Sequence, residues 1–306
     1  MDDGKIHNPF KQLIVFGDFG QLPPVLREPD EAEYYKYYKS KYSFCSEFWN
    51  KCNFKYVILR EVVRQKDATF AAKLERLRRN DKTVLKEFRQ NDKASDTAIT
   101  LCTRNTVADE INWKHLQALP GHHKYTASVI DNGLPDKVPV DFEMTLAPGE
   151  HVMFVNNDRE GRWFNGSLAI VKECLDDSVI VEMHDGRTLN LSQYSWPVYR
   201  TEVKEVRYVG ETKPRKEIHR YKSGSYCQYP LRPAWAITIH RSQGQTYDEV
   251  NIAPGNFFAP GQLYVALSRC RTEEGMHITG TLREEYLKFD QELLDFMDFV
   301  EKNAIN

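Results

Sequence analysis

The sequence lacks several features that would assign a protein to a class at once. None of its apolar runs approaches the roughly 20 residues that a membrane helix needs, and residues 1–11 contain no apolar segment typical of a secretory signal. Its six cysteines are scattered without a CxxC pair, which disfavours a zinc or dithiol site. We therefore expect free thiols in a reducing, cytoplasmic protein without a membrane contact.

A large excess of charge of either sign is also missing. The chain has 306 residues, of which 28% are charged and 41% hydrophobic, with a formal net charge of −2. This composition predicts a soluble globular protein of one large or two modest domains. The balance gives no electrostatic sign of nucleic acid, so any nucleic-acid surface must be a local groove.

The first part of the chain has the order of an α/β protein. Residues 11–17 are apolar and β-branched and predict a fully buried strand of a parallel sheet. Residues 18–25 follow this strand at once with polar side chains and a stiff proline pair, so these polar groups would lie at the carboxyl edge, where open sheets bind ligands. A short helix over residues 44–50 and a strand over residues 56–59 are predicted next.

Strand, polar turn and helix then repeat. Asp67 is typical of a helix N-cap, and the helix after it has Phe70, Leu74 and Leu77 on one face. Residues 97–102 predict another buried strand, which a polar turn and a helix through residues 107–119 follow. This repetition favours an α/β fold.

From about residue 148 the pattern changes to short strands with Asn-Gly and Asp-Gly turns. It predicts an all-β insert, most simply a small barrel. The predicted strands cover residues 151–155, 167–173, 178–183 and 187–191. A charged stretch then leads back to α/β order, with a strand, a helix and a closing amphipathic helix predicted over residues 234–239, 261–271 and 282–306.

Two polar segments in the first third of the chain could carry chemistry. Residues 17–24 (GDFGQLPP) present Gln21, whose neutral amide can donate to a phosphate oxygen and accept from an attacking water. The alternative is a proline-stiffened strand exit with a surface glutamine. Residues 62–67 present Arg64, whose planar guanidinium can bind phosphate through two donors. A solvated surface arginine is the alternative there.

Two further segments follow near the end of the chain. Residues 238–246 (TIHRSQGQT) place hydroxyls, a histidine and backbone N–H groups after an apolar strand, where they can hold a nucleic-acid phosphate or relay nucleotide state. Hydrogen-bonded structure is the alternative. At helical spacing, Gln262 and Arg269 share a face that is less apolar than its opposite. An arginine there needs an anionic partner, either a phosphate or an internal carboxylate.

In this order, the four segments resemble motifs of superfamily 1 helicases of the Pif/RecD family. Residues that look like the family's third to sixth motifs are 17–25, 63–65, 236–246 and 264–271. Residues 149–171 resemble the segment that opens a small barrel inserted in that family's second RecA-like domain. Their RWxNG form looks more like bacterial or phage members. The resemblance covers about residues 12–285.

The resemblance implies an α/β fold with a RecA-like, P-loop helicase motor lobe and an inserted small all-β barrel. Residues 1–58 would be a remnant of the first RecA-like lobe. Residues 59–147 and 228–285 would form the second lobe, residues 148–227 the barrel and its connector, and residues 286–306 a C-terminal helix.

The resemblance also implies roles for single residues. Gln21, Arg64 and Arg269 would approach the ATP γ-phosphate as the catalytic residues, with Gln21 positioning the attacking water and Arg269 acting as an arginine finger. Asp18, Gly244 and Gln262 would complete the nucleotide-binding set. Residues expected to meet DNA are Thr103, Asn105, His240, Ser242, Gln243 and, by base stacking, Trp163. For Trp163, a place in the core of the barrel is the alternative.

The sequence departs from the family in one respect. The phosphate-binding string GxxxxGK[ST] does not occur, and Asp2-Asp3 lacks the apolar strand that should precede the family's Mg²⁺-binding acidic pair. We therefore expect the chain to begin within the first lobe, as a piece of a split, truncated or mis-started gene. It would use ATP and Mg²⁺ only if the missing N-terminal part is supplied, for instance as a separate polypeptide.

The function predicted from these observations is part of an ATP-dependent DNA helicase. Such a motor moves 5′ to 3′ along single-stranded DNA and unwinds DNA in repair, recombination or replication. This chain alone would be inactive. One alternative is a non-catalytic module, derived from a helicase, that binds single-stranded DNA or a partner. The other is an unrelated α/β enzyme or assembly protein with chance motifs.

Overall fold

A computed structural model describes residues 12–26, 28–206 and 215–305. The chain divides into two compact units, one formed by residues 1–108 with 237–306 and the other by residues 109–236. Asp2-Asp3 and Lys11 lie outside the described residues. The domain limits expected from the resemblance stay predictions.

Helices and strands are distributed unevenly between the two units. The helices are α1 (Glu28–Tyr37), α2 (Glu47–Cys52), α3 (Ala68–Arg78), α4 (Asn105–Ala118), α5 (Gln262–Leu267) and α6 (Gln291–Asn303). The strands are β1 (Ile99–Cys102), β2 (His123–Thr126), β3 (Ser128–Asp131), β4 (Glu143–Leu146), β5 (His151–Phe154), β6 (Leu168–Cys174), β7 (Val179–Met183), β8 (Thr188–Leu191), β9 (Tyr194–Val206), β10 (Arg215–Gln228), β11 (Leu231–Pro233), β12 (Ala236–Thr238), β13 (Val250–Ile252) and β14 (Met276–Ile278).

A four-stranded sheet organises the first unit, in the order β12-β1-β13-β14. Strands β1, β13 and β14 pair in parallel, with Ile99 opposite Val250 and Val250 opposite Met276. Their apolar side chains are buried, as expected for a parallel sheet that is covered on both faces. The predicted strands near residues 97–102 and 234–239 are confirmed, although the second begins only at Ala236.

Helix α3 forms where its local signals predicted it. The Asp67 carboxylate accepts from the Thr69 N–H at 2.7 Å and so caps the first turn. Phe70, Leu74 and Leu77 are all buried along one face. Asn80, at φ +65°, takes the left-handed conformation that commonly follows a helix end.

Two strands predicted near the N-terminus are wrong. Residues 12–17 have no regular secondary structure, and the Phe16 side chain is 81% exposed. No described strand pairs with this run, and a single strand cannot satisfy its backbone groups or bury two faces. Residues 56–59 form only one isolated bridge, between Tyr56 and Ala304.

An aromatic cluster holds the N-terminal segment to helix α6. Phe19, Phe44 and Phe296 form its centre, and the rings of Phe44 and Phe296 stack with centroids 4.0 Å apart. Residues 44–50, where one short helix was predicted, contain a 3₁₀ turn followed by α2. Aromatic pairs of this kind contribute ~0.5–1.5 kcal/mol beyond the area that they bury.

The second unit is rich in β-structure, as its turn-rich sequence predicted. It contains a five-stranded sheet (β11-β5-β6-β7-β8), a three-stranded sheet (β3-β10-β9) and a two-stranded sheet (β2-β4). Buried residues from all three sheets share one core. Strands β11 and β8 lie at opposite edges of the five-stranded sheet, so the pairings among the described residues form open sheets and show no barrel closure.

No helix within residues 12–26, 28–206 and 215–305 is long and apolar enough to cross a membrane.

Candidate functional site

A tight turn after β12, residues 239–246, carries the polar groups of the predicted third segment; we call it the polar turn. The N–H groups of Arg241 and Ser242 donate to the carbonyl of Thr238 at 2.9 and 3.1 Å, which folds the chain back on the strand. Gly244 takes φ +85°, which favours glycine. As a result, Gln243 is exposed at the surface of the turn.

Arg269 follows α5 and is buried, with 1% of its surface exposed. Among the described residues, its guanidinium finds only neutral partners. Nε donates to the carbonyl of Val265 at 2.9 Å, Nη1 to that of Gln245 at 3.2 Å, and Nη2 to the Ser268 hydroxyl at 2.9 Å. Burial, with the positive charge of Arg64 as the second cause, lowers the pKa of Arg269 to about 10. The group still carries its charge at neutral pH, and none of its hydrogen-bond partners among the described residues is an anion.

Arg64 reaches the same place from the segment before α3. Its Nε donates to Thr246 Oγ1 at 2.9 Å and its Nη1 to the carbonyl of Ser268 at 3.1 Å. The neighbouring Gln65 is buried and donates to the carbonyls of Ser268 and Cys270. Both arginines therefore contact Ser268, and two positive charges lie close together. An anion bound between them would relieve their repulsion.

Gln21 lies in a loop that Asp18 shapes. Asp18 Oδ1 accepts from the Gly20 N–H at 3.0 Å, and Oδ2 accepts from Gln21 Nε2 at 3.2 Å. Gly261, at φ +72°, lies against this loop so closely that a Cβ would be 2.5 Å from the Gly20 carbonyl oxygen. Gln21 Oε1 accepts from Gln243 Nε2 at 3.3 Å, which connects the loop to the polar turn.

These contacts bring the three predicted catalytic residues to one turn. Gln21 contacts Gln243, Arg64 contacts Thr246, and Arg269 donates to a carbonyl of the same turn. All three contact the polar turn although they are far apart in the chain. Their convergence on a nucleotide site and their roles in ATP hydrolysis stay predictions.

The other predicted nucleotide-binding residues differ in what they can offer. Asp18 is half-buried beside Gln21, and Gly244 is exposed at the tip of the polar turn. Gln262 is fully buried, and its Oε1 accepts from the N–H of Phe258 at 3.0 Å while its Nε2 donates to the Thr103 carbonyl at 3.4 Å. In this conformation, its amide holds the loop before α5 and does not face a ligand.

The predicted DNA contacts fall into exposed and buried groups. Gln243 and Asn105 are exposed, and Thr103 is half-buried. His240 is half-buried and stacks on Phe258, and burial lowers the pKa of its imidazole. Ser242 is fully buried with its hydroxyl donating to the Ile239 carbonyl at 2.8 Å. Its hydroxyl is therefore not available for a direct DNA contact in this conformation, contrary to the prediction.

Trp163 belongs to the core of the second unit, which corrects the prediction of base stacking. Its ring stacks on Phe154 with centroids 4.5 Å apart, and its Nε1 donates to Asn156 at 3.0 Å. The side chain is 5% exposed. The neighbouring Phe164 is the exposed ring of this segment.

Sequence reasoning missed two residues that hold the site together. Arg78, at the end of α3, donates to Asp18 Oδ1 through Nε and Nη2, and Tyr264 contributes its hydroxyl to Asp18 Oδ2 at 3.5 Å. Burial, reinforced by the charge of Asp18, raises the pKa of Tyr264 to about 12, so it stays a neutral donor. Arg78 lies four residues after Leu74, on the buried face of α3. A charge on an apolar face was the signal that could have found it.

Taken together, the parallel sheet, the polar turn and the buried arginine after α5 define a RecA-like motor lobe of a superfamily 1 helicase. Residues 233–273, which contain the polar turn, α5 and Arg269, match the family model for the UvrD-like helicase C-terminal domain.

Relatives place the chain more narrowly. It is 33% identical over 283 residues to ATP-dependent DNA helicase PIF1 of Xenopus laevis, and the match covers 87% of this chain and 40% of that protein. It is 28% identical over 280 residues to Pif1 of Bdellovibrio bacteriovorus, covering 88% of this chain and 58% of the relative. The structure of Bacteroides Pif1 bound to single-stranded DNA is 31% identical with a TM-score of 0.72, covering 94% and 67%. The chain belongs to the Pif1 helicase family, and the predicted RecA-like fold is confirmed.

The chain spans less than two thirds of the length of these curated relatives, 40% for Xenopus and 58% for Bdellovibrio. Relatives from both vertebrates and bacteria match it.

Proposed function

We propose that this chain supplies part of the ATP-hydrolysing motor of a DNA helicase that moves 5′ to 3′ on single-stranded DNA. The observation that carries the proposal is the burial of the Arg269 guanidinium. A fully buried guanidinium with only neutral partners among the described residues is costly, because a buried charge needs a counter-charge. The γ-phosphate of ATP would provide that charge during turnover. Unwinding in repair, recombination or replication would be the biological use.

The residues at the polar turn suit a phosphate oxyanion. Arg64 and Arg269 offer guanidinium donors beside one another, and such groups bind phosphate oxygens strongly. Gln21 offers a neutral amide that can donate to a phosphate oxygen and accept from a water. Arg269 would then act as the arginine finger, which contributes ~10³–10⁵ in rate in related phosphoryl-transfer sites. ATP supplies the phosphoryl group, and the side chains of this chain orient and neutralise it.

The metal and the phosphate-binding loop would come from elsewhere. Among the described residues, no group of three or more His, Cys, Asp or Glu is placed to hold a metal ion, so we assign no residue to Mg²⁺. The chain would therefore use ATP and Mg²⁺ together with an N-terminal helicase region, present on a longer or a separate polypeptide. Its six unpaired thiols favour a reducing, cytoplasmic setting.

Single-stranded DNA is the proposed track. Support comes from the exposed Gln243 and Asn105 and from the half-buried His240, all in the unit that carries the polar turn. Pif1 from Bacteroides has been solved bound to single-stranded DNA. Amide and imidazole groups of this kind can contact phosphate and sugar without reading sequence.

Reconstitution tests the proposal. The 306-residue chain would be combined with the P-loop region of a Pif1 relative, and ATP turnover measured with and without a single-stranded oligothymidine. We expect turnover that requires both polypeptides and rises with DNA. If the chain binds the oligonucleotide but never supports turnover, it is instead a non-catalytic binding module derived from a helicase.

A further inference from the structure

The orientation of the Gln21 side chain is not fixed by regular secondary structure. The residue lies in residues 18–26, which form neither helix nor strand, and a glutamine side chain has three rotatable bonds that cost free energy to immobilise. An amide that must present the correct atom to a phosphate or a water needs one defined orientation. Something outside the loop must therefore impose it.

Asp18 divides its two carboxylate oxygens between separate tasks. Oδ1 accepts from the Gly20 N–H at 3.0 Å and from Arg78 Nε and Nη2 at 3.1 and 2.8 Å. Oδ2 accepts from Gln21 Nε2 at 3.2 Å and from the Tyr264 hydroxyl at 3.5 Å. Because a carboxylate only accepts, Gln21 must point its NH₂ group at Asp18 and its oxygen away.

The oxygen of Gln21 then faces the polar turn. Gln21 Oε1 accepts from Gln243 Nε2 at 3.3 Å, so both ends of the amide are fixed. If Asp18 rotated about its side chain, Gln21 would lose its acceptor and its orientation. The rotation is opposed by the two donors that Arg78 directs at Oδ1.

The Arg78 side chain packs closely against the loop that contains Asp18. It and Asp18 are both about three-quarters buried, with side-chain exposures of 23% and 25%, so their ion pair is partly shielded from water. Its side chain also lies over Gly20, where a Cβ would be 2.9 Å from Arg78 Nε. Glycine at position 20 is thus what allows the arginine to approach the loop. The remaining nitrogen, Nη1, lies 3.6 Å from Glu75.

We propose that Arg78 is a positioning residue that sets the orientation of the Gln21 amide through Asp18. Arg78 does not touch the nucleotide, and it acts by reserving Asp18 Oδ2 for Gln21. The effect of this orientation on catalysis rests on the proposed function, because an oriented Gln21 matters only if it senses a phosphate or water. The orientation itself can be measured on this chain without nucleotide.

The test uses the 306-residue chain without nucleotide. Solvent exchange of the Gln21 side-chain NH₂ protons would be measured by ¹⁵N NMR, with the resonance assigned by its loss in Gln21→Ala. We expect exchange at least about tenfold faster in Arg78→Ala and in Arg78→Lys, because a single ammonium cannot replace two donors in a fixed fork. Arg79→Ala is the matched control, since Arg79 also pairs with Glu75 but is exposed.

Unchanged NH₂ exchange in Arg78→Ala, with intact backbone protection in α3, would overturn the inference. Should Arg78→Ala unfold, Asp18→Asn gives the same test. In this variant the side-chain oxygen would stay with the donors of Arg78 and Gly20, and the new NH₂ group would take the place of Oδ2. Gln21 must then turn its amide over, so its own NH₂ group loses the acceptor that protects it from exchange. Equal exchange in Asp18→Asn and the unsubstituted chain would also overturn the inference. These readouts need no ATP, so a failed reconstitution would refute the motor role without touching the positioning role.

Discussion

Replacing Glu150 with glutamine should stabilise the second unit by an amount that grows with pH. Glu150 directly precedes β5 and is fully buried, and neither of its carboxyl oxygens has a hydrogen-bond partner among the described residues. Burial raises its pKa from 4.5 to about 7. The nearby Trp235 indole N–H, which itself has no acceptor in hydrogen-bond geometry within the described part of the chain, has a smaller opposing effect. Burial, with the charge of His115 as a second cause, lowers the pKa of the neighbouring His151 imidazole.

The direction of the change in stability with pH depends on whether the folded or the unfolded chain holds the Glu150 proton. Between pH 4.5 and about 7, the folded chain keeps the Glu150 proton and the unfolded chain releases it. The stability associated with that proton is complete below pH 4.5 and is lost as the pH rises through 7. At ~1.4 kcal/mol per pH unit, the loss amounts to ~3 kcal/mol. Glu150→Gln has no proton to lose, so its advantage over the unsubstituted chain should grow by this amount.

Urea unfolding at a series of pH values between 4 and 8 measures the difference. Hydrogen exchange at the amides of β5, β6 and β7 restricts the readout to the unit that contains Glu150. Glu173→Gln, which changes an exposed glutamate on β6, is the matched control and should show no pH-dependent difference. If the difference between Glu150→Gln and the unsubstituted chain stays constant with pH, Glu150 does not hold a proton in the folded chain at neutral pH.

Further predictions concern packing in both units. Gly261→Ala should destabilise the first unit by ~1–3 kcal/mol in urea unfolding, because a Cβ at φ +72° would meet a backbone oxygen at 2.5 Å; an unchanged midpoint would contradict this close approach. Gln65→Ala should cost ~1–3 kcal/mol in the same assay, because two carbonyls lose a buried donor. Trp163→Ala should cost ~3–5 kcal/mol, whereas the exposed Phe164→Ala should stay within ~0.5 kcal/mol. Equal effects of these last two substitutions would contradict the place of Trp163 in the core.

Local signals in the sequence predicted the parts of the fold that depend on neighbouring residues. Helix α3 needed only the Asp67 cap and apolar positions three to four residues apart, and both are visible in the chain. The strands of the β-rich unit were also predicted from local signals, because glycine-containing turns separate one short strand from the next. The polar turn and the buried arginine were predicted because each lies in one contiguous segment.

Contacts between residues that lie far apart in the chain could not be predicted from the sequence. The run at 12–17 has the composition of a buried strand, yet a strand exists only if partners pair with it, and composition does not reveal whether they do. The Asp18–Arg78 ion pair joins residues 60 positions apart. The spacing of Gln262 and Arg269 predicted one helix face for both, but α5 ends at Leu267. Only the packed structure reveals that the Gln262 amide is occupied by the neighbouring loop.

Single-turnover kinetics show whether the buried charge of Arg269 serves ATP hydrolysis. The assay would compare Arg269→Ala with Arg271→Ala, an exposed neighbour paired with Asp248 at 2.7 Å. Both chains would be combined with a P-loop region and saturated with single-stranded DNA. We expect Arg269→Ala to slow hydrolysis by ~10³-fold or more, while its DNA affinity and the hydrolysis rate of Arg271→Ala stay unchanged. Equal hydrolysis rates in the two variants would contradict this role of Arg269.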